Sequence, residues 1–247
     1  MFEGPQKIAA IILEPVVGTN GILVPPDGYL AGVRELCDRH GIVMIADEVM
    51  AGFGRCGEWF AVDHWDVVPD LITFAKGVNS GYVPLGGVAI NAPIAATFDD
   101  LAYPGGLTYS GHVLACASAV ASIRIFEEHG LVERAAQLGR EVFGPGLAEL
   151  AAKHPSVGEV RGLGCFWAIE LVKDPETREM FVPFNATGAD AAPMVEVVAA
   201  CKAAGLWPFA HFNRLHVAPP LVISDEDARL GLSIIDAALD LADAHVR

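Results

Sequence analysis

The sequence predicts an α/β domain with a mostly parallel sheet, followed by a smaller α+β domain. Short runs at residues 8–13, 42–46 and 71–75 are apolar on both faces, which is typical of buried parallel strands. An amphipathic helix at residues 29–40 separates the first two, as in a βαβ unit. After Pro155 strands and helices are mixed without this order, which indicates an α+β domain.

The first domain continues with elements whose limits follow from stop signals. Gly41 is the expected C-terminal cap of the first helix. A strand at residues 84–90 follows a link too short for a crossover, so it should run antiparallel. A helix at residues 113–128 comes next, with Thr108 or Ser110 as its expected cap.

The second domain is reached through a helix predicted at residues 131–153. Strands are predicted at residues 166–171 and 214–218, and a helix at residues 192–204. Ser224 and the acidic residues after it form a capping sequence for the last helix.

Charge and composition limit the possible partners. The chain of 247 residues is 53% hydrophobic and carries a net charge of −15, which argues against nucleic acid and anionic membranes as partners. Its five cysteines form no C-x-x-C pair and are expected to be buried, reduced side chains. No signal or membrane-spanning segment is predicted, so we expect a cytoplasmic protein.

Two charged residues follow neighbouring buried strands. Asp47 ends the strand at residues 42–46, and Lys76 follows the strand at residues 71–75. A lysine at such a position either reaches for solvent or serves as a reactive amine. Together, one amine and one carboxylate are the protein groups that a pyridoxal phosphate site needs, because the lysine forms the Schiff base and the carboxylate keeps the pyridine nitrogen protonated.

Residues 52–57 match the pattern G-x-G-x-x-G, but we reject a dinucleotide site. Two carboxylates, Asp47 and Glu48, precede these glycines and would repel a pyrophosphate. No clear helix opens after them. The glycines are expected instead to let a loop turn tightly beside the site.

Several motifs, in order and spacing, resemble the class III aminotransferases. They are Glu14-Pro15-Val16, Pro25-Pro26, Asp47-Glu48-Val49, residues 52–55, Lys76-Gly77 and residues 108–112. The resemblance covers nearly the whole chain and implies a fold type I pyridoxal-phosphate-dependent transferase. Residues 1–130 would form the C-terminal part of the cofactor-binding large domain, and residues 131–247 the connector helix and small domain. Such enzymes are nearly twice as long, so we expect their N-terminal half to be missing here.

The resemblance also implies roles for single residues. Asp47 pairs with the pyridine nitrogen, Val49 packs on the ring, and Lys76 is the Schiff-base lysine and proton carrier. Thr108 binds the phosphate of the partner subunit's cofactor, which implies a homodimer with shared active sites.

The substrate is suggested by two departures from the family pattern. Thr19 and His216 replace a glutamate and an arginine that many relatives have. Arg214 shares a strand face with His216, and it is either a solvent-facing arginine or a cation that binds a carboxylate or sulfonate. Residues 205–214 and 182–185 resemble aminotransferases of ω-amino acids such as taurine and β-alanine. The expected reaction passes an amino group to a 2-oxo acid such as 2-oxoglutarate or pyruvate.

Three alternatives to this hypothesis follow from the same residues. An aminomutase or a decarboxylase on the same scaffold would share Asp47 and Lys76, and the third alternative is an inactive fragment. His211 and His216 lie an odd number of residues apart, so they are predicted to face opposite sides of a strand, and no metal pair is expected.

Overall fold

The computed structural model describes residues 4–247, which form two compact units. The first unit comprises residues up to Val16 together with Pro25–Val132. The second comprises Val17–Val24 and Glu133–Arg247. Val17–Val24 therefore belongs to the second unit although first-unit residues flank it in sequence, and no sequence signal predicted this.

A four-stranded sheet forms the first unit, with strands β1 (Ala10–Leu13), β2 (Val43–Asp47), β3 (Leu71–Phe74) and β4 (Gly87–Ile90) in that order. The first three strands are parallel and β4 is antiparallel, as predicted. β1 was expected in the centre of a sheet, but within residues 4–247 it is an edge strand. Its Ile12 is 61% exposed.

Helix α1 (Tyr29–His40) covers part of this sheet and ends at Gly41, whose φ of 64° is left-handed as a C-terminal cap requires. Buried residues of α1, of β2 with the residue before it, and of the segment before β3 form one apolar core, which contains Leu30, Cys37, Ile42, Met44 and Val67. Burying such side chains removes apolar surface from water and stabilises the unit.

Two further helices complete the first unit, α2 (Ala92–Ala96) and α3 (Val113–Glu128). The predicted cap of α3 by Thr108 or Ser110 is wrong. The N-cap residue is His112, which makes no capping hydrogen bond with its side chain.

The predicted connector consists of α4 (Leu131–Leu138), a π-helical turn (Gly139–Phe143) and α5 (Gly144–Lys153). A Cβ on Gly139 would lie 2.7 Å from the Cα of Gly164. The connector thus passes so close to a neighbouring turn that only glycine fits there.

An antiparallel sheet forms the centre of the second unit, in the strand order β5-β6-β9-β8 with β7 paired to β6. Its strands are β5 (Val157–Leu163), β6 (Phe166–Asp174), β7 (Glu179–Met180), β8 (Phe209–His211) and β9 (Arg214–Val217). Helices α6 (Ala192–Ala203) and α7 (Asp225–Asp243) belong to the same unit. Ser224 caps α7, as predicted, by accepting the N–H of Asp227 at 3.0 Å.

The cysteines and the helices were also the subject of predictions from the sequence. Four of the five cysteines are buried as expected, whereas Cys116 is exposed. Within residues 4–247, none of the helices has the length and apolar character needed to cross a membrane.

A buried histidine joins the end of α5 to α7. His154 is 1% exposed, with Nδ1 2.7 Å from Asp243 Oδ2 and Nε2 2.7 Å from Asp236 Oδ1. Burial by itself would lower the pKa of His154, but hydrogen bonds to the two carboxylates outweigh it and raise the pKa. Asp240 adds a third potential ligand atom within 4.8 Å of those of His154 and Asp243, but both ring nitrogens are already paired with carboxylates. The cluster is therefore explained as an ion pair.

We predict that His154→Gln flattens the pH dependence of stability. Because folding raises the pKa of His154, its stabilisation is complete below the unfolded value of about 6.5 and is lost as pH rises through the folded value. Urea unfolding should show a variant that is at least about 1 kcal/mol less stable than wild type near pH 6 and closer to it at alkaline pH. Lys153→Gln removes a more exposed partner of Asp236 and is the matched control. An identical pH slope in wild type and His154→Gln would contradict the assignment.

Candidate active site

The sheet of the first unit brings a carboxylate and an amine to one edge. β2 and β3 are parallel neighbours, and the Cα of Asp47 pairs with that of Thr73. Parallel strands end at the same edge of a sheet, which is where α/β folds bind ligands. Asp47 is the last residue of β2, and Lys76 follows β3 after one intervening residue. The structure therefore places the C-terminal ends of these two strands side by side, as predicted.

Asp47 is half-buried and held in a fixed orientation by its own turn. Its Oδ1 accepts the N–H of Val49 at 3.1 Å, which also fixes the backbone of the half-buried Val49. In the described part of the chain, the other oxygen, Oδ2, accepts no hydrogen bond. The N–H of Glu48 continues the ladder to Thr73 O at 2.9 Å. One carboxylate oxygen of Asp47 is thus available to a ligand.

Lys76 begins a short 3₁₀ turn, Lys76–Val78, and its side chain is exposed. Its φ of 39° is left-handed, which is uncommon for a residue other than glycine. Among residues 4–247, no acidic side chain forms an ion pair with Lys76. The amine therefore projects from a strained turn without a charged partner in the described chain.

Thr73 was not singled out from the sequence, yet its hydroxyl lies in this sheet beside Asp47. Residues paired across parallel strands share a sheet face, so Thr73 and Asp47 project to the same side. The Thr73 hydroxyl is buried and has no hydrogen-bond partner in residues 4–247. Since buried polar groups are normally hydrogen-bonded, a polar partner is missing there.

Glu48 was also given no role, although a second carboxylate at a buried strand end is itself a signal. The side chain is 1% exposed and accepts the N–H groups of Ala61 and Val62, each at 2.9 Å. These residues open a 3₁₀ helix, Ala61–Trp65, whose first N–H groups lack helical partners. Burial raises the pKa of Glu48 to about 7, although these two hydrogen bonds oppose the rise.

Thr108 lies in an exposed segment before α3, where Ser110 N–H donates to Leu107 O at 3.0 Å in a turn. Nothing in the described chain tests its predicted contact with a phosphate, which stays a prediction.

In the second unit, one face of the sheet carries Arg214, which is predicted to bind the substrate, together with His216. Arg214 pairs with Glu170 and His216 pairs with Ala168, so Arg214 and His216 share a face as predicted. The prediction that His211 and His216 face opposite sides is wrong. They lie on separate strands, β8 and β9, and His211 pairs with Arg214, so all three side chains share that face.

Two arginines of this face hold the segment Val17–Val24. Arg161 Nε donates to Gly21 O at 2.7 Å and its Nη2 donates to Glu170 at 2.6 Å. Arg214 donates through Nη1 to Asn20 O and through Nε to His211 O at 3.4 Å. A Cβ on Gly21 would lie 2.5 Å from the Arg214 Nη1 and 2.8 Å from the Arg161 Nη2, so a side chain there would displace the two guanidinium groups.

His216 is neutral at physiological pH in this setting. Burial lowers the pKa of His216 to about 4, and the nearby charges of Arg214 and Arg161 act in the same direction. Its Nε2 and the Nδ1 of His211 are buried and have no hydrogen-bond partner in residues 4–247. Arg214 is therefore the permanent cation at this end of β9.

The predicted fold type I class is confirmed by similarity to solved structures. Taurine:2-oxoglutarate aminotransferase from Bifidobacterium kashiwanohense, in complex with PLP and glutamate, superimposes with a TM-score of 0.94 at 43% identity. That match covers 100% of this chain and 54% of the other. A thermostable (S)-enantioselective omega-transaminase from Thermomicrobium roseum has a TM-score of 0.87 at 38% identity, covering 98% of this chain and 52% of its own.

The sequence matches the family Aminotransferase class-III over residues 3–239, and the chain belongs to the class III aminotransferases. The 4-aminobutyrate aminotransferase GabT of Escherichia coli (strain K12) is 40% identical over 243 residues, which are 96% of this chain and 54% of that protein. The taurine–pyruvate aminotransferase of Bilophila wadsworthia is 38% identical over 248 residues, with 95% and 52% covered. The chain thus spans about half the length of the curated relatives it matches.

Proposed function

We propose that this chain functions as part of a pyridoxal-phosphate-dependent aminotransferase. The reaction moves an amino group from an ω-amino acid of the taurine or β-alanine type to a 2-oxo acid, 2-oxoglutarate or pyruvate. The observation that carries this proposal is the placement of the Lys76 amine and the Asp47 carboxylate at the ends of two adjacent parallel strands. Relatives named for 4-aminobutyrate and for taurine and pyruvate support the substrate class.

The residues at this edge fit the cofactor. A polar ligand would satisfy three polar groups here. They are an exposed amine, a carboxylate oxygen that accepts no hydrogen bond from the described chain, and a hydroxyl without a partner in it. They belong to Lys76, Asp47 and Thr73. Pyridoxal phosphate, when bound, supplies an electron-accepting ring and a carbonyl carbon that takes up the amino group.

Each residue has a distinct task in this proposal. The Nζ of Lys76 holds the cofactor between turnovers and carries a proton to and from the substrate carbon. Asp47 stabilises the positive charge at the pyridine nitrogen through its carboxylate. Val49 packs against the ring and helps to exclude water.

The same proposal covers the domains and the assembly of the enzyme. Residues 1–130 form the C-terminal part of the cofactor-binding large domain, and residues 131–247 the connector helix and small domain. The active enzyme is a cytoplasmic homodimer with shared active sites, in which Thr108 binds the phosphate of the partner subunit's cofactor.

Arg214 binds the acidic end of the amino donor in this proposal. Its Nε and Nη1 are partly committed to backbone carbonyl groups, whereas the guanidinium has five N–H donors in total. The remaining donors suit the oxygens of a sulfonate or carboxylate. The neutral His216 leaves this charge contact to Arg214.

We predict that Lys76→Ala abolishes amino transfer in the chain extended to the length of its relatives. General acid–base catalysis alone contributes roughly a hundredfold to ten-thousandfold in rate, and because Lys76 also holds the cofactor the loss should exceed that range. Loss of the visible absorbance of the bound cofactor should accompany the loss of turnover. Lys173→Ala, near the C-terminal end of β6, is the control and should behave like wild type. Turnover that persists in Lys76→Ala would exclude the assigned role.

We predict that Arg214→Ala raises KM for taurine or β-alanine while sparing simple uncharged amines. A charge-assisted hydrogen bond contributes about 1.5–3 kcal/mol, so the specificity ratio should shift at least about tenfold. Arg161→Gln loosens the same segment through Gly21 and is the matched control, expected to affect both amine classes alike. Should Arg214→Ala also affect both classes equally, Arg214 is structural.

A further inference from the structure

Glu48 is hydrogen-bonded to two parts of the segment that follows it, residues 49–62. Its carboxylate accepts the N–H groups of Ala61 and Val62, each at 2.9 Å. Its carbonyl accepts the N–H of Gly52 at 3.0 Å. A Cβ on Gly52 would lie 2.9 Å from that same carbonyl oxygen, so the backbone passes as close as glycine allows. Glu48 is thus hydrogen-bonded near both ends of the loop at residues 49–60.

Phe53 lies within this loop and contacts the turn that carries Lys76. It is 7% exposed, and its N–H donates to Trp59 O at 2.7 Å. Its ring packs edge-on against Phe74 at a centroid distance of 5.8 Å. A Cβ added to Gly77 would lie 2.8 Å from the Cβ of Phe53. Phe53 therefore touches the backbone directly after Lys76.

Lys76 depends on such contacts because its backbone is strained. A φ of 39° in a residue with a side chain persists only where the surrounding structure determines it. Gly77 provides the close approach, Phe53 provides the contact, and Glu48 holds the loop that carries Phe53 in place.

We propose that Glu48 is a positioning residue for Lys76 that acts through the loop at residues 49–60 and through Phe53. This rests on the proposed function, because it concerns the amine that the aminotransferase uses. The buried carboxyl group keeps the loop closed, the closed loop holds Phe53 against Gly77, and this contact keeps Lys76 in its left-handed conformation.

Amide hydrogen exchange of this chain, with no cofactor added, tests whether Glu48 acts on Lys76 through the loop and Phe53. Glu48→Gln keeps the shape of the side chain but turns an NH₂ donor toward a backbone N–H. We expect exchange to become at least about tenfold faster at Ala61 and Val62. A similar factor is expected at Val78, whose N–H donates to Ala75 O at 3.1 Å within the Lys76 turn.

Two further variants separate the steps. Phe53→Leu should accelerate exchange at Val78 without affecting Ala61 and Val62. Asp63→Asn is the matched control, because Asp63 accepts the N–H of Phe60 at 3.2 Å at the start of the same 3₁₀ helix but is not hydrogen-bonded to β2. It should leave exchange at Val78 unchanged.

Acceleration confined to Ala61 and Val62 in Glu48→Gln overturns the proposal, and so does an equal acceleration throughout α1. Should Glu48→Gln fail to fold, Phe53→Leu decides, and unchanged exchange at Val78 then overturns it.

Kinetics give a second test in the protein that performs amino transfer. Because only the lysine is displaced, Glu48→Gln should lower kcat about tenfold and leave the donor KM unchanged. A raised KM with normal kcat overturns the proposal. Since hydrogen exchange is measured without cofactor, a chain that fails as an aminotransferase still gives a result for Glu48.

Discussion

The parallel pairing of β2 with β3 is the constraint on which the candidate active site depends. It aligns Asp47 with Thr73 and so places the carboxylate and, two residues beyond the end of β3, the Lys76 amine at the same sheet edge. Hydrogen bonds extend the pairing beyond the strand, since Glu48 N–H donates to Thr73 O. A shift of one residue would turn one of these side chains to the other face. The chemistry proposed here therefore follows from backbone register.

The polar groups at this edge divide into those that the chain satisfies and those that it does not. Both oxygens of Glu48 accept backbone N–H groups, so its hydrogen-bonding capacity is used within the protein. By contrast, the Thr73 hydroxyl and one oxygen of Asp47 lack partners in the described chain. The satisfied group is bonded to the loop, whereas the unsatisfied ones lie at the sheet edge where we propose that the cofactor binds.

Local signals predicted most elements. Gly41 and Ser224 mark helix ends through general backbone and capping chemistry, and the apolar runs before Asp47 and Lys76 indicated where β2 and β3 end. Features that depend on distant contacts were not predictable. Val17–Val24 joins the second unit partly through hydrogen bonds from arginines more than a hundred residues away. The faces of His211 and His216 depend on a turn between them, at Phe212 with its φ of 54°, that breaks the strand alternation.

Covalent trapping tests the central claim most directly. Borohydride reduction of the protein with bound pyridoxal phosphate, followed by peptide mass spectrometry, identifies the amine that holds the cofactor. The account predicts labelling at Lys76, in strong preference to Lys7, Lys153, Lys173 and Lys202, and weaker labelling when Asp47 is replaced by alanine. Labelling spread evenly over the five lysines, or concentrated on another one, would contradict it.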